Sequence, residues 1–314
     1  MSNGFAREVM QRIAIRTQFP PMVWVYRAVY EGAIWLCVRR LKKVKGVRSI
    51  YLRRGLASGR ALYGLSDIDL MVMVEEDPTG RTEAAVRYHY ALLRQRVPML
   101  AEGELALYTA EQFRTLFRYS PFYRYRFEQG RGRWRRLFGE DVFAGIPSAE
   151  SDLRSLATQE LLPAWRHLSQ EFCPGDRRPA YLRRYVAYKA VAEAARAAMI
   201  SAGAEPRLLR EEAIMRVGEV FCGLGDTLAE VQRWSRALDG AEPIPMEDVV
   251  RLFRRLAEHA FSAAEPGISA RRRLHIRAVS KESVEVLISK GAVAELEAAC
   301  AAAEEVEREV LVRD

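Results

Sequence analysis

The chain is poor in the residue types that build metal–thiolate sites and disulfide scaffolds. Its 314 residues include four cysteines and four histidines, and no two cysteines form a C-x-x-C pair. We therefore expect neither a zinc site nor a disulfide framework. The cysteines are expected to be small buried side chains in a reducing compartment.

The chain also lacks the patterns of secreted and membrane-spanning proteins. Its N-terminus does not show the order of charged, apolar and small residues that marks a signal peptide. The apolar stretch from Pro21 to Val38 is interrupted by Arg27 and Glu31, which argues against a membrane span. Internal repeats and low-complexity segments are absent too. We expect a cytoplasmic chain without a membrane partner.

Positive charge is concentrated in the first half of the chain. Residues 1–147 carry 25 Lys/Arg against 14 Asp/Glu, whereas residues 148–314 carry 24 against 27. Such an excess is typical of a domain that binds an anion such as a nucleotide, a nucleic acid or a phosphate. A solvated arginine-rich surface explains the bulk charge equally well.

The periodicity of apolar residues predicts an α+β domain over residues 1–147 and an all-helical domain over residues 148–314. The predicted elements of the first domain are helix Met22–Leu41, strand Val47–Leu52, a loop over 53–65, strand Ile68–Val74, helix Thr82–Val97, strand Met99–Thr109 and helix Ala110–Phe117. The predicted helices of the second domain cover 151–172, 180–202, 207–233, 246–264 and 281–312.

The most informative stretch is a glycine-bearing turn, residues 54–59, followed by two aspartates. Eleven residues separate Gly55 from Asp67, and Asp69 follows two positions later. Side chains alternate along a strand, so Asp67 and Asp69 are expected to share a face. Two adjacent carboxylates repel each other unless a cation lies between them, and a turn rich in backbone N–H groups suits an anion. This pairing is typical of phosphoryl or nucleotidyl transfer.

The third predicted strand supplies a further carboxylate. Glu102 and Glu104 are two residues apart and are expected on one face. We favour Glu104, because an apolar run begins directly after it, as one does after Asp69. A glutamate here can share a metal ion or accept a proton from an attacking hydroxyl. The alternative is that both glutamates are solvated charges at a strand edge.

Together these motifs resemble the DNA polymerase β-like nucleotidyltransferase superfamily. The turn, the gap and Asp67-Ile68-Asp69 match the family pattern over about residues 22–147. The sequence around these motifs and the segment from Leu137 to Asp141 are most similar to the bacterial branch that includes aminoglycoside adenylyltransferases. The resemblance implies a small mixed sheet followed by a helical domain.

The resemblance also implies a site and a reaction. Asp67, Asp69 and Glu104 would bind two Mg²⁺ ions, and a hydroxyl acceptor would attack the α-phosphorus of a nucleoside triphosphate, with ATP the expected co-substrate. Gly55 and Ser58 would hold the β- and γ-phosphates, and Ser66 would orient the strand of Asp67. Lys189, in the second domain, is a further candidate for contact with the phosphates.

One position departs from the family pattern, because Arg54 stands where the first turn glycine is expected. Glycines let the backbone approach the triphosphate closely. The arginine has three open roles. It can fold outward, add a cation for the phosphates, or fill the phosphate pocket and abolish activity.

Residues 113–138 interleave arginines with aromatic residues. Such a segment can stack on bases and bind phosphates, which predicts a nucleic-acid partner. The alternative is that the rings pack the interface between the two domains while the arginines reach solvent.

Three functions therefore remain open from the sequence. The first is transfer of a nucleotide to a small hydroxyl-bearing molecule. The second is transfer to RNA, tRNA or another nucleotide, as in toxin or defence systems. The third is a nucleotide-binding module that has lost catalysis, which Arg54 suggests.

Overall fold

The structure, a computed structural model, describes most residues between 11 and 264 and two short segments beyond them. Within that range the description leaves out residues 12, 15, 60, 102, 150–152, 170–179, 206, 222–227, 230 and 232–245, and the segments beyond it are 274–278 and 284–288. The chain divides into two compact units. Unit 1 comprises Met1–Arg118 and Gln129–Pro147, and unit 2 comprises Tyr119–Glu128 and Ser148–Asp314.

The coarse prediction of an α+β chain is confirmed, since the described residues combine a four-stranded mixed sheet with many helices. The elements up to residue 139 are, in chain order, α1 (Met22–Leu41), β1 (Val47–Leu52), the one-turn helix α2 (Arg54–Ala57), β2 (Leu70–Val74), α3 (Arg81–Arg96), β3 (Leu105–Thr109), α4 (Ala110–Tyr119), α5 (Pro121–Gly130) and β4 (Arg135–Gly139).

The sheet of unit 1 has the strand order β3-β2-β1-β4. Strand β1 is antiparallel to both β2 and β4, whereas β2 and β3 are parallel. In the parallel pair, Leu70 lies opposite Leu105 and Val74 opposite Thr109. Because parallel strands start at the same edge, the residues that precede β2 and β3 are brought together there.

The core of unit 1 lies between this sheet and the helices α1 and α3. All five residues of β2 are buried, as expected for a strand covered on both faces. Tyr30, Ile34, Cys37 and Leu41 recur at helical spacing along α1 and join the same core cluster. Burial raises the pKa of the Cys37 thiol to about 12, so this cysteine is an inert part of the core.

The helices of unit 2 surround α8. They are α6 (Leu153–Leu156), α7 (Leu161–Ser169), α8 (Ala180–Ser201), α9 (Arg210–Val220) and α10 (Met246–Ala264). Helix α8 packs against α7, α9 and α10. Its buried residues include many alanines, whose small side chains let neighbouring helices approach closely.

The prediction of an all-helical second domain is wrong at one place. Strand β5 (Leu274–Ala278) pairs with β6 (Val284–Ile288) as a two-stranded antiparallel sheet. We predicted a helix over 281–312 from its later Ala, Glu and Leu residues. Near the start of that segment, residues 284–288 read Val-Glu-Val-Leu-Ile, and this alternation of β-branched residues has the period of a strand. The remainder of that predicted helix lies outside the described residues.

Several predicted boundaries are confirmed, and others shift near the motifs. The predicted bounds agree with the structure for two helices and one strand: Met22–Leu41, Met246–Ala264 and Val47–Leu52. The predicted loop over 53–65 contains α2, and the predicted strand Met99–Thr109 begins only at Leu105. The first part of that predicted strand belongs instead to a 3-10 turn over Pro98–Leu100, because proline favours the first position of a helical turn.

Among the described helices, none combines the length and the apolar character needed to cross a membrane.

Candidate functional site

The acidic residues of the motif meet at the edge where β2 and β3 begin. The backbone N–H of Leu70 donates to the carbonyl of Glu104, and the N–H of Glu104 donates to Oδ1 of Asp69, both at 2.9 Å. Asp69 is 7% exposed, while Asp67, two residues earlier, is half-buried. The structure thus brings Asp69 and Glu104 together, as predicted from sequence. Glu102 lies outside the described residues.

Gly103 explains how Glu104 comes so close to Asp69. A Cβ atom on Gly103 would lie 2.3 Å from the carbonyl oxygen of Ile68, so no other residue fits without a shift of the backbone. The hydroxyl of Tyr90 donates to the carbonyl of Gly103 at 3.0 Å. Burial raises the pKa of Tyr90, which keeps this hydroxyl protonated as a donor. Sequence reasoning missed both residues, although the Glu-Gly-Glu pattern was a signal for a close backbone approach.

Arg53 is a buried cation at the same edge. It is 5% exposed, and its backbone N–H donates to the carbonyl of Asp69 at 2.9 Å. Its guanidinium group lies over the ring of Trp134 at 5.1 Å, and Nη1 is 3.7 Å from Oε1 of Glu104. Nε and Nη1 are buried, and no described residue accepts a hydrogen bond from either. Burial lowers the pKa of Arg53, with the charge of Glu104 acting in the opposite direction.

Arg54 places a second guanidinium group on the same carboxylates. Its Nη2 donates a short hydrogen bond to Oε2 of Glu104, and its Nε lies 3.8 Å from Oδ2 of Asp69. The backbone of Arg54 has φ of 59°, a left-handed conformation that residues with a Cβ atom seldom adopt. The sequence-based alternative in which Arg54 folds outward therefore does not describe this structure.

Arginine side chains lie beside two of these carboxylates, and the Mg²⁺ site stays a prediction. Within the described residues, no three Asp, Glu, His or Cys side chains are grouped so that they could hold a metal ion. Instead, the positive charge beside Asp69 and Glu104 comes from Arg53 and Arg54. The carboxylate oxygens of Asp67, Asp69 and Glu104 are the kind of ligand that Mg²⁺ prefers. Guanidinium groups, however, already lie against the carboxylates of Asp69 and Glu104.

The residues predicted to contact phosphates lie in the turn and the loop that follows it. Gly55 is within α2, and its carbonyl accepts a hydrogen bond from the Ser58 hydroxyl at 3.1 Å. Oγ of Ser66 accepts the N–H of Leu62 at 2.9 Å, and the carbonyl of Ser66 accepts the Tyr30 hydroxyl at 2.8 Å. Ser66 therefore ties the loop before Asp67 to helix α1.

Lys189 belongs to unit 2, on helix α8. Its ammonium group lies 4.2 Å from the ring centroid of Tyr185, one helical turn earlier. The contact is a cation–π interaction within that helix. A role for Lys189 toward phosphates stays a prediction.

The aromatic rings of the 113–138 segment mostly pack inside the units to which they belong. In unit 1, Phe113 and Phe117 are buried, and in unit 2, Tyr125 and Phe127 are buried. Several arginines of the segment have partners within their own units; Arg126, for example, forms an ion pair with Glu160 at 2.6 Å. Rings buried within their own units are not free to stack on bases, whereas packing between the domains and a nucleic-acid partner both stay predictions.

A pocket of about 330 Å³ opens beside the β1–β4 pair of unit 1. Its lining consists of Tyr51, Arg131, Gly132, Trp134, Arg136, Asp141 and Phe143. Trp134 connects this pocket to the acidic edge, because the guanidinium group of Arg53 also lies over its ring. Sequence reasoning did not single out Arg53 or Trp134 for the site.

No model of a known protein family matches the chain, and no characterised protein matches it significantly.

Proposed function

We propose that the chain binds a nucleoside triphosphate at the turn–carboxylate edge of unit 1, as a nucleotidyltransferase-like module in which arginines supply the local positive charge. The observation that carries the proposal is the contact of Arg54 with Glu104 and Asp69. The proposal makes the third function that the sequence left open, a nucleotide-binding module that has lost catalysis, more specific.

The two arginines favour an anionic ligand because their positive charge offsets the negative charge of the carboxylates at this edge. Three uncompensated carboxylates, Asp67, Asp69 and Glu104, would repel a triphosphate. The guanidinium groups of Arg53 and Arg54 offset most of that charge without a metal ion. The basic excess of residues 1–147 acts in the same direction over a longer range.

The arginines also retain donors for phosphate oxygens. A guanidinium group has five N–H donors, and the hydrogen bond of Arg54 to Glu104 uses one of them. Arg53 keeps Nε and Nη1 without an acceptor among the described residues. Buried donors without partners are costly, by about 1–3 kcal/mol each, so a phosphate oxygen that reached them would relieve this cost.

Backbone strain supports a role for the Arg54 side chain. A residue with a Cβ atom in the left-handed region costs about 1–3 kcal/mol, and such strain is found where the position matters for function. Glycine would adopt φ of 59° freely. The arginine is therefore retained in the turn at a cost that its charge must offset.

The test is nucleotide binding with and without divalent cations. We expect isothermal titration calorimetry to detect ATP binding in EDTA, with an affinity that Mg²⁺ changes less than about tenfold. Arg54→Gln should weaken this binding at least about tenfold, the loss of one charge-assisted contact. Arg87→Gln, a change at another exposed arginine of unit 1, is the matched control and should bind as the wild type does. If the wild-type protein binds no nucleotide under either condition, the proposal is wrong.

A second candidate function is Mg²⁺-dependent nucleotidyl transfer to a hydroxyl acceptor. It is favoured by the exposure of the Arg54–Glu104 pair, whose side chains are 49% and 42% exposed. Ion pairs this exposed contribute only about 0–1 kcal/mol, so a ligand can displace Arg54. In that case nucleotide binding would require Mg²⁺, and labelled nucleoside triphosphates with mixed acceptors would release pyrophosphate.

A further inference from the structure

Helix α1 is apolar on both sides, although only one side is covered. Tyr30, Ile34, Cys37 and Leu41 face the core of unit 1 and are buried. A helix that is apolar all round is normally buried all round. The outer side of α1 is therefore the surface in unit 1 that most needs an explanation.

The outer side carries a continuous apolar stripe. Its large members are exposed by the following fractions: Trp24 68%, Val25 51%, Val29 51%, Trp35 59% and Leu36 40%. Ala28 and Gly32, also exposed, lie between them. These seven residues, the α1 stripe, follow the three- and four-residue spacing of one helix face.

None of the described residues accounts for a glycine at position 32. Glycine in the middle of a helix lowers helix stability relative to alanine. Within the part of the chain that the structure describes, a Cβ atom on Gly32 would meet nothing within 4 Å, so no described neighbour requires the missing side chain. A glycine in this setting suits the close approach of a second backbone.

We infer that the α1 stripe is the contact surface between two copies of this chain, with the two α1 helices antiparallel about a twofold axis. The stripe is roughly symmetric on reversal, because a tryptophan lies near each end and the small residues Ala28 and Gly32 lie nearer the middle. Antiparallel pairing centred near residue 30 places Ala28 of one copy opposite Gly32 of the other. It also places Trp24 beside Trp35 and Val25 beside Leu36, each from opposite copies. A twofold interface requires this self-complementarity.

The area of the stripe is sufficient for such an interface. With about 150–250 Å² for a fully buried aromatic side chain, the exposed fractions amount to roughly 500 Å² per copy. Two copies then bury about 1,000 Å² in total, the lower bound for a specific interface. A patch of this size is at the upper end of what monomers expose.

Charge at the edge of the stripe is compatible with the same arrangement. Arg27 and Glu31 lie on one flank of α1, and antiparallel pairing brings Arg27 of one copy near Glu31 of the other. Glu31 also accepts two hydrogen bonds from Arg135 at 2.8 Å. Arg135 and Arg27 both lower the pKa of Glu31, with the Arg135 hydrogen bond the largest cause, so the carboxylate stays charged at the interface.

The test is the mass of the full-length chain in solution. Sedimentation equilibrium of the wild type should show a monomer–dimer equilibrium in the micromolar range or tighter, with a dimer of twice the 35.8 kDa chain mass. Gly32→Leu should raise the dimer dissociation constant at least about 100-fold, because the added side chain blocks the approach of the helices. Its melting temperature as a monomer should be unchanged or higher, because the space around Gly32 is open and leucine favours the helix more than glycine does.

Controls separate a specific interface from general effects. Ala91→Leu adds the same bulk on an exposed position of α3 and should dimerise as the wild type does. Trp24→Gln, a second variant within the stripe, should also weaken the dimer. Raising NaCl from about 0.1 to about 0.5 M should leave the dimer as strong or make it stronger, because salt screens repulsion between two basic copies.

Three results would overturn the inference. The wild type could sediment as a monomer at all concentrations tested, or Gly32→Leu could leave a dimer intact. The third is a monomer that binds vesicles of phosphatidylcholine and phosphatidylglycerol at low salt and loses this binding in Trp24→Gln. That outcome would assign the stripe to a lipid surface instead of a second copy.

Discussion

The guanidinium group of Arg54 donates a hydrogen bond to the carboxylate of Glu104, fifty residues further along the chain. The same guanidinium group lies 3.8 Å from Asp69. A cation built into the chain therefore stands beside carboxylates that, by resemblance, would hold a metal ion. The first prediction concerns what happens when it is removed.

Arg54→Gly should raise the affinity of the protein for divalent cations. The substitution frees the carboxylates of Asp69 and Glu104, and glycine also relieves the strain at φ of 59°. We expect Mg²⁺ or Mn²⁺ to raise the melting temperature of the variant by several degrees and that of the wild type by far less. Equal shifts in both proteins would show that Arg54 does not compete with a metal ion.

Asp69→Ala should destabilise unit 1 by about 1–3 kcal/mol, because the N–H of Glu104 loses its acceptor at a buried position. Glu104→Gln should cost less than about 1 kcal/mol, since the side chain of Glu104 is partly exposed. Urea unfolding of both variants, followed by circular dichroism, measures the difference. Equal losses would mean that the two carboxylates do not differ in structural role.

Gly103→Ala should be among the most destabilising small substitutions in unit 1. Its Cβ atom would lie 2.3 Å from the carbonyl oxygen of Ile68, and the backbone cannot yield cheaply. We expect a loss of about 2–4 kcal/mol, as for other changes that force strain on a core. Gly218→Ala is the matched control, because its Cβ would make an ordinary contact at 3.9 Å. Thermal unfolding should show no loss of stability, or a small gain, for the control.

Tyr51 should make part of the stability of unit 1 sensitive to alkaline pH. Its hydroxyl donates to Asp141 Oδ1 at 3.0 Å and accepts the N–H of Val142 at 2.8 Å. Burial, the largest cause, raises the pKa of Tyr51 to about 12. A pKa raised above the unfolded value of about 10 stabilises the fold fully below pH 10, and this contribution is lost as the pH rises toward 12.

The measurement is urea unfolding at intervals between pH 8 and pH 12. Tyr51→Phe should lower stability at pH 8 and flatten the decline above pH 10, since phenylalanine does not titrate. Tyr88→Phe is the control, because Tyr88 is 61% exposed, and it should leave the decline as it is. A Tyr51→Phe protein with the wild-type alkaline slope would contradict the assignment.

Local sequence patterns predicted the helices and strands that carry the site wherever the apolar residues follow a single helical or strand period. Helix Met22–Leu41 and strand Val47–Leu52 were predicted at their observed bounds. The approach of Glu104 to Asp69 was also predicted, because the two strands and their leading acids are visible in the chain. The strand over Val284–Ile288 was missed, because an Ala- and Glu-rich sequence after it outweighed its own alternation.

The partners of these charges could not be predicted from the sequence. Arg53 and Arg54 are neighbours in the chain, yet one is buried over Trp134 and the other lies half-exposed against Glu104. Which carboxylate each arginine meets depends on the strand order β3-β2-β1-β4 and on the backbone angle at Arg54. Both are properties of contacts between residues far apart in sequence.

Residue type and local periodicity were enough to predict the α+β character of the chain, the acids at the strand edge and the unusual arginine in the turn. The positions of Arg53 and Arg54 at the carboxylates, the close approach that Gly103 allows and the outward-facing apolar side of α1 became visible in the folded chain. An ion pair or a covered face exists only once segments that are distant in the chain have packed together.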